Sequence, residues 1–296
     1  MPRTACVIGL GSMGGGAAAS LLRQGFAVRG ADPSVEARDR LAAAGGVPCT
    51  TPAEAARGAD AVLVFVVNAA QTETALFGAD GAAAAIGSGA VVLACATVPP
   101  LFAEELGRRL AVMGVPLLDA PVSGGPTKAA TGEMTVMASG NAEAFARAEP
   151  FLDAIATKVY RLGDVPGAGS RVKMINQLLA GVHIAAAAEA MAFGVSTGID
   201  PATLFDVISN SAGASWMFAN RVPHMLEGDY APRSAVDIFV KDLGIVLQTG
   251  AAMTFPLPIS AAAHQLFTMA SARGMGREDD AAVVKLYTDP DRLKKG

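Results

Sequence analysis

The sequence predicts two folded parts of different class: an α/β N-terminal part over residues 1–163, built on a mostly parallel, doubly wound sheet, and an all-α C-terminal part over 164–296, joined to it by a long interdomain helix. Three observations carry that prediction. Short β-branched runs alternate with amphipathic segments as far as residue 163, the pattern of βαβ units. A glycine cluster, "GLGSMG", stands between the first such run and the helix that follows it. Past "LGDVPGAG" the alternation stops, and residues 170–288 keep helical periodicity with no convincing strand.

In chain order the expected strands are "TACVIG", "FAVRGA", "AVLVFVV", "AVVLACA", "VPLLDA", "MTVMAS" and "KVYRLG", with helices between them. One helix starts at Thr51, where "TPAE" places proline at the first helical position and Glu54 at the third, a capping box. A helix beginning near Ser170 opens the second part, so the cleft between the two parts is expected near Lys173. Residues 178–199 are apolar enough to raise the question of a membrane span, but His183, Glu189 and many alanines favour a buried helix.

Composition narrows the class of partner. The 296 residues carry a formal net charge of −4 and no basic run, which leaves no electrostatic footprint for nucleic acid or an anionic membrane. Cys6, Cys49 and Cys95 form no CxxC pair, as expected of a reduced cytoplasmic protein with thiols in its core. His183, His224 and His264 are too far apart for HxxxH ligand spacing, so no metal site is expected. The N-terminal "MPRTACVIGLG" runs directly into a strand, without a signal-peptide h-region. A small molecule is the expected partner. The 52% hydrophobic content fits a chain that also buries contacts between copies of itself.

"GLGSMG" sits where a dinucleotide-binding fingerprint belongs, with Gly9, Gly11 and Gly14 at its three glycine positions and Leu10, Ser12 and Met13 completing the loop. Asp32 ends the next strand, eighteen residues beyond Gly14. Its carboxylate suits the ribose hydroxyls and opposes a 2′-phosphate, so this Rossmann-type reading expects NAD rather than NADP. Asn68, at the end of the strand expected over 61–67, is assigned to the cofactor as well. Thr97 follows another strand, at the edge where open α/β sheets bind ligands; local sequence equally allows it as a helix cap ahead of Pro99. In "DAPVSGG", Ser123, Gly124 and Gly125 combine a hydroxyl with unobstructed backbone N–H groups, a combination that suits a carboxylate.

Lys173, Asn176 and Gln177 fall at i, i+3 and i+4 and share one face of an otherwise apolar helix. Oxidising an alcohol by hydride transfer requires a base for the hydroxyl proton, and a lysine serves where burial and a neighbouring cation favour its neutral form. Trp216 and Phe218, in "SWMF", are open to core or dimer packing as much as to a pocket, and His183 and Glu189 are expected in helix packing or an interface.

Taken together, "GLGSMG", "DAPVSGG", "GAGSRVKMINQ" and "FVKDLG" resemble, in order, the four signature stretches of the β-hydroxyacid dehydrogenase family. The resemblance implies Lys173 as the catalytic residue, Ser123, Gly124 and Gly125 as carboxylate binders, Thr97 and Lys241 as cofactor contacts, and Asn176 or Gln177 orienting the substrate. Many members carry two asparagines where this chain has Asn176 and Gln177. The family also implies a homodimer or homotetramer. Within it, the stretches 174–194 and 215–244 look most like the branch that oxidises L-threonate at C2; tartronate-semialdehyde reductases and 3-hydroxyisobutyrate dehydrogenases are the neighbouring branches. Imine reductases share the two-part build but typically lack a lysine at the position of Lys173. A rival of another class is a non-catalytic NAD-binding sensor, in which Lys173 would be dispensable.

Overall fold

The computed structural model describes residues 2–294. Its regular elements are β1 (Thr4–Ile8), α1 (Ser12–Arg23), β2 (Ala27–Ala31), α2 (Val35–Ala43), β3 (Val47–Cys49), α3 (Pro52–Ala56), β4 (Ala61–Val64), α4 (Ala69–Phe77), β5 (Val91–Ala94), α5 (Pro100–Val112), β6 (Leu117–Asp119), β7 (Val122–Ser123), α6 (Gly125–Thr131), β8 (Met134–Ala138), α7 (Ala142–Ile155), β9 (Ala156–Arg161), α8 (Ala168–Ser196), α9 (Pro201–Ser209), α10 (Trp216–Glu227), α11 (Val236–Ala252) and α12 (Pro258–Ala270). The chain divides into two compact units, Met1–Lys173 and Met174–Gly296.

In the first unit β1 to β6 form one parallel sheet in the order β3-β2-β1-β4-β5-β6, the doubly wound order of dinucleotide-binding folds. Its central strands are buried on both faces, which is why "ACVI", "AVLV" and "VVLA" read as continuous apolar runs. Cys6, Cys49 and Cys95 are free thiols in this core, and burial pushes the thiols of Cys6 and Cys95 up, away from the reactive thiolate. Two strands escaped the sequence reading. β3 is three residues containing a proline, at the sheet edge where a missing N–H is tolerated. β7 is two residues of "DAPVSGG" that pair antiparallel with β8 in a second sheet, β7-β8-β9. The expected cap at Thr51 is present, with Thr51 Oγ1 accepting Glu54 N, while the return bond of the box is shifted by one residue: Glu54 Oε2 accepts Thr50 N.

The second unit is helical, and between 174 and 294 the described residues pair in β fashion only at one isolated bridge, Ala235 to Asp279. Ile184, Ala188 and Met191 of α8 lie in its core with Phe239 and Leu243 of α11 and Phe267 of α12. A Cβ on Gly181 would meet Phe239 and Leu243 at 3.0 Å, so a glycine there lets α8 and α11 approach closely. α8 is long and apolar enough to cross a membrane, but those alanines and methionines are spent on a protein core. "SWMF" divides in two: Phe218 is buried and stacks on Phe205 at 5.9 Å, whereas Trp216 is exposed.

Candidate active site

The three glycines of the fingerprint meet three separate demands. Gly9 has φ +88° and lies so close to β4 that a Cβ would sit 2.8 Å from Phe65 O. A Cβ on Gly14 would overlap Gly9 O and approach Phe65 Cβ to 2.8 Å, so helix α1 can press on the strand only without one. Gly11 faces open space with ordinary dihedrals, and it is the N-cap of α1 without a side-chain cap. The bare N-terminus of α1 therefore presents uncapped N–H groups where a pyrophosphate would dock, and the groove a Cβ would fill is left free. These residues fit a dinucleotide.

Asp32 stands directly after β2, and its carboxylate is oriented by two backbone donors: Leu10 N to Oδ2 at 2.7 Å and Ser34 N to Oδ1 at 2.8 Å. It thus ties the glycine loop to the end of β2, leaving the remaining lone pairs for ribose hydroxyls. Asn68 caps α4, its Oδ1 accepting Gln71 N at 2.8 Å while Gln71 Oε1 accepts Val67 N at 2.9 Å. Thr97 is half-buried beyond β5; the N-cap of α5 is Pro99, so the capping alternative for Thr97 does not hold.

Ser123 ends β7, Gly124 is the N-cap of α6 with φ +136°, and Gly125 follows with φ +74°. The segment is thus a strand end turning into a helix, a turn only glycines make without strain. Lys173 lies in the second turn of α8 and is buried.

The start of α8 is held by a group that sequence reasoning passed over. Asp119, fully buried at the end of β6, accepts Gly167 N and Ser170 N at 2.9 Å and Ser139 Oγ at 3.2 Å on Oδ2, and Ser170 Oγ at 2.7 Å on Oδ1. Burial pushes its carboxyl up, against the downward pull of these hydrogen bonds. The available signal was a charge closing an apolar strand inside the quoted "DAPVSGG".

In the second unit Gln177 is buried, with Nε2 donating to Asp242 Oδ2 at 2.5 Å and Oε1 accepting Asn176 Nδ2 at 3.0 Å. Lys241 pairs with the other oxygen of Asp242 at 2.6 Å. Asp242, in "FVKDLG", is another buried carboxylate that the sequence reading did not single out.

Comparison with known proteins agrees with this geometry. Residues 4–163 match the family described as the NAD binding domain of 6-phosphogluconate dehydrogenase, and residues 167–287 that described as NAD-binding of NADP-dependent 3-hydroxyisobutyrate dehydrogenase. The chain belongs to the β-hydroxyacid dehydrogenase family. As a member of it, the protein is an NAD-binding dehydrogenase acting on the CH–OH group of a hydroxy acid. Among curated proteins, the L-threonate dehydrogenase of Cupriavidus necator is 64% identical over 97% of each chain. That of Escherichia coli K12 is 52% identical over 95% of this chain and 94% of its own. A crystal structure from Salmonella typhimurium described as a 3-hydroxyisobutyrate dehydrogenase superposes with a TM-score of 0.92 at 51% identity, over 96% of this chain and 100% of that one.

Proposed function

We propose that this family member oxidises L-threonate at C2 to the 2-oxo acid with NAD⁺, in the cytoplasm. The observation that carries the chemistry is a buried lysine, Lys173, in the same compact unit as the glycine fingerprint and the 123–125 turn. Ser123 Oγ and the N–H groups of Gly124 and Gly125 hold the C1 carboxylate. Lys173 Nζ takes the proton of the C2 hydroxyl as the C2–H bond breaks. Bound NAD⁺ supplies the hydride acceptor, which balances the reaction as 2-oxo acid, NADH and one proton. Asn176 orients the hydroxyls through its carbonyl oxygen, while Gln177 is held in a bridge between Asn176 and Asp242. Asp32 and the N-terminus of α1 hold the dinucleotide, with Asn68, Thr97 and Lys241 as its further contacts.

The substrate comes from the relatives named L-threonate dehydrogenase, which match nearly the whole chain. The name of the Salmonella structure makes 3-hydroxyisobutyrate the second reading. Steady-state NADH formation decides between them, with L-threonate, 3-hydroxyisobutyrate and glycerate compared side by side. A pocket built to hydrogen-bond the C3 and C4 hydroxyls leaves polar groups unpaired against acids that lack them, a penalty of up to about 10⁴-fold. L-threonate should lead in kcat/KM; a tenfold lead for either competitor refutes the substrate and leaves the family intact.

The assembly we propose is a homodimer or homotetramer. It is supported by an apolar groove of ≈ 530 Å³ in the second unit, flanked by Phe193 and Ile259, which are 70% and 68% exposed. Large apolar side chains gathered on one face mark a contact surface.

A further inference from the structure

Helix α8 starts at Ala168, so its first N–H groups have no partner within the helix, and the start is buried. The caps come from two strands distant in sequence. Gly167 N and Ser170 N donate to Asp119 Oδ2 at 2.9 Å, and Gly169 N donates to Ser139 Oγ at 3.0 Å. The Ser139 hydroxyl in turn donates to Asp119 Oδ2, and the Ser170 hydroxyl closes the set on Oδ1. Backbone bonds in both directions lock Asp119 to Ser139, with Asp119 N donating to Ser139 O at 2.9 Å and Ser139 N to Asp119 O at 2.8 Å. A Cβ on Gly169 would overlap Met137 O and lie 2.8 Å from Asp119 O, so the helix start presses directly on the strands.

Two segments leave this knot. Four residues after Asp119 comes Ser123, and three residues after Ser170 comes Lys173. We propose that Asp119 is a positioning residue for the dehydrogenase reaction: its carboxylate, with Ser139 and Ser170, sets the 123–125 turn and Lys173 at one fixed separation. Asp119 is fully buried and both its carboxylate oxygens are taken up by donors of the knot, so it acts through Lys173. The proposal rests on the reading of Lys173 as the base.

The device is geometric. An asparagine can keep it, with its carbonyl oxygen facing Gly167 N, Ser170 N and Ser139 Oγ and its amide donating to a reversed Ser170 hydroxyl. Alanine cannot, and leaves helix N–H groups buried without partners. A displacement of about 1 Å between reacting groups costs about 10²-fold in rate.

The test is a double-mutant cycle between Asp119 and Lys173, scored by kcat, KM for the hydroxy acid and the Kd of NAD⁺ from fluorescence titration. Asp119→Ala should lower kcat about 10²-fold, with KM and Kd within about threefold of wild type, and Asp119→Asn should restore most of the rate. Ser170→Ala, which removes one link and leaves the rest, should lose about three- to tenfold and serves in the cycle if Asp119→Ala does not fold. Combined with Lys173→Ala, either change should be silent, because the residue it positions is gone. Wild-type kcat in Asp119→Ala or Ser170→Ala, an equal loss in Asp119→Asn and Asp119→Ala, or losses that add to that of Lys173→Ala would each overturn the positioning role. A fully active Lys173→Ala enzyme would instead overturn the reading of the base.

Discussion

Gln177 donates its side-chain amide to the Asp242 carboxylate across 2.5 Å, joining α8 to α11 inside the helical unit. Asn176 also donates to Gln177 Oε1, so Gln177 is held as a bridge between Asn176 and Asp242 with one N–H and one lone pair committed, whereas half-buried Asn176 is tied through its Nδ2 and keeps its whole carbonyl oxygen. The two side chains should therefore fail differently. Asn176→Ala should lower kcat/KM for the hydroxy acid by about 10 to 10²-fold with thermal stability near wild type, the loss expected when one buried substrate hydroxyl goes unpaired. Gln177→Ala should instead cost about 1 to 3 kcal/mol of stability by leaving the buried Oδ2 of Asp242 without its donor, with Lys241 still on Oδ1. Calorimetry alongside kinetics separates them, and the reverse pattern would hand the substrate to Gln177.

The fingerprint glycines allow a second separation. Gly11→Ala meets no atom within 4 Å, so the fold should keep its stability to within about 0.5 kcal/mol. Its new methyl group occupies the space of the dinucleotide, and the Kd of NAD⁺ should rise at least about tenfold. Gly14→Ala would overlap Gly9 O; it should lower Tm, although an alanine for a glycine in a helix normally gains about 1 kcal/mol. An unchanged NAD⁺ affinity in Gly11→Ala would remove the pyrophosphate from this helix end.

In the proposed reading, cofactor choice rests on Asp32. With its carboxylate oriented by Leu10 N and Ser34 N, wild type should favour NAD⁺ over NADP⁺, and Asp32→Ala should reduce the ratio of the two kcat/KM values about tenfold, equivalent to roughly 1.4 kcal/mol. Faster turnover of the wild type with NADP⁺ at equal subsaturating concentration would contradict this.

Lys173→Ala should lower kcat by roughly 10² to 10⁴-fold and leave NAD⁺ affinity unchanged. Lys173→Arg should not rescue it, since a guanidinium stays protonated. A sensor that merely binds NAD would tolerate both.

Phe193→Glu places a charge on the apolar groove of the second unit and should dissociate the assembly. Sedimentation velocity gives the readout: a smaller species than wild type is expected, and an unshifted one would move the contact elsewhere.

Much of this protein is written locally. The parallel sheet follows from apolar runs four or five residues long, because strands buried on both faces admit nothing polar. The fingerprint and the i, i+3, i+4 face of Lys173, Asn176 and Gln177 are also local, since a tight turn and a helical period are properties of a few consecutive residues. β3 and β7 were not legible, for two or three residues carry no period and exist only because a neighbouring strand accepts their hydrogen bonds. The bond that holds Gln177 likewise depended on Asp242, 65 residues further along the chain. Asp119 and Ser170 are 51 residues apart, and nothing in either neighbourhood announces the other. A buried carboxylate takes whichever donors the packed chain brings to it, so the partners of Asp119, and with them the seat of Lys173, were decided by the tertiary structure alone.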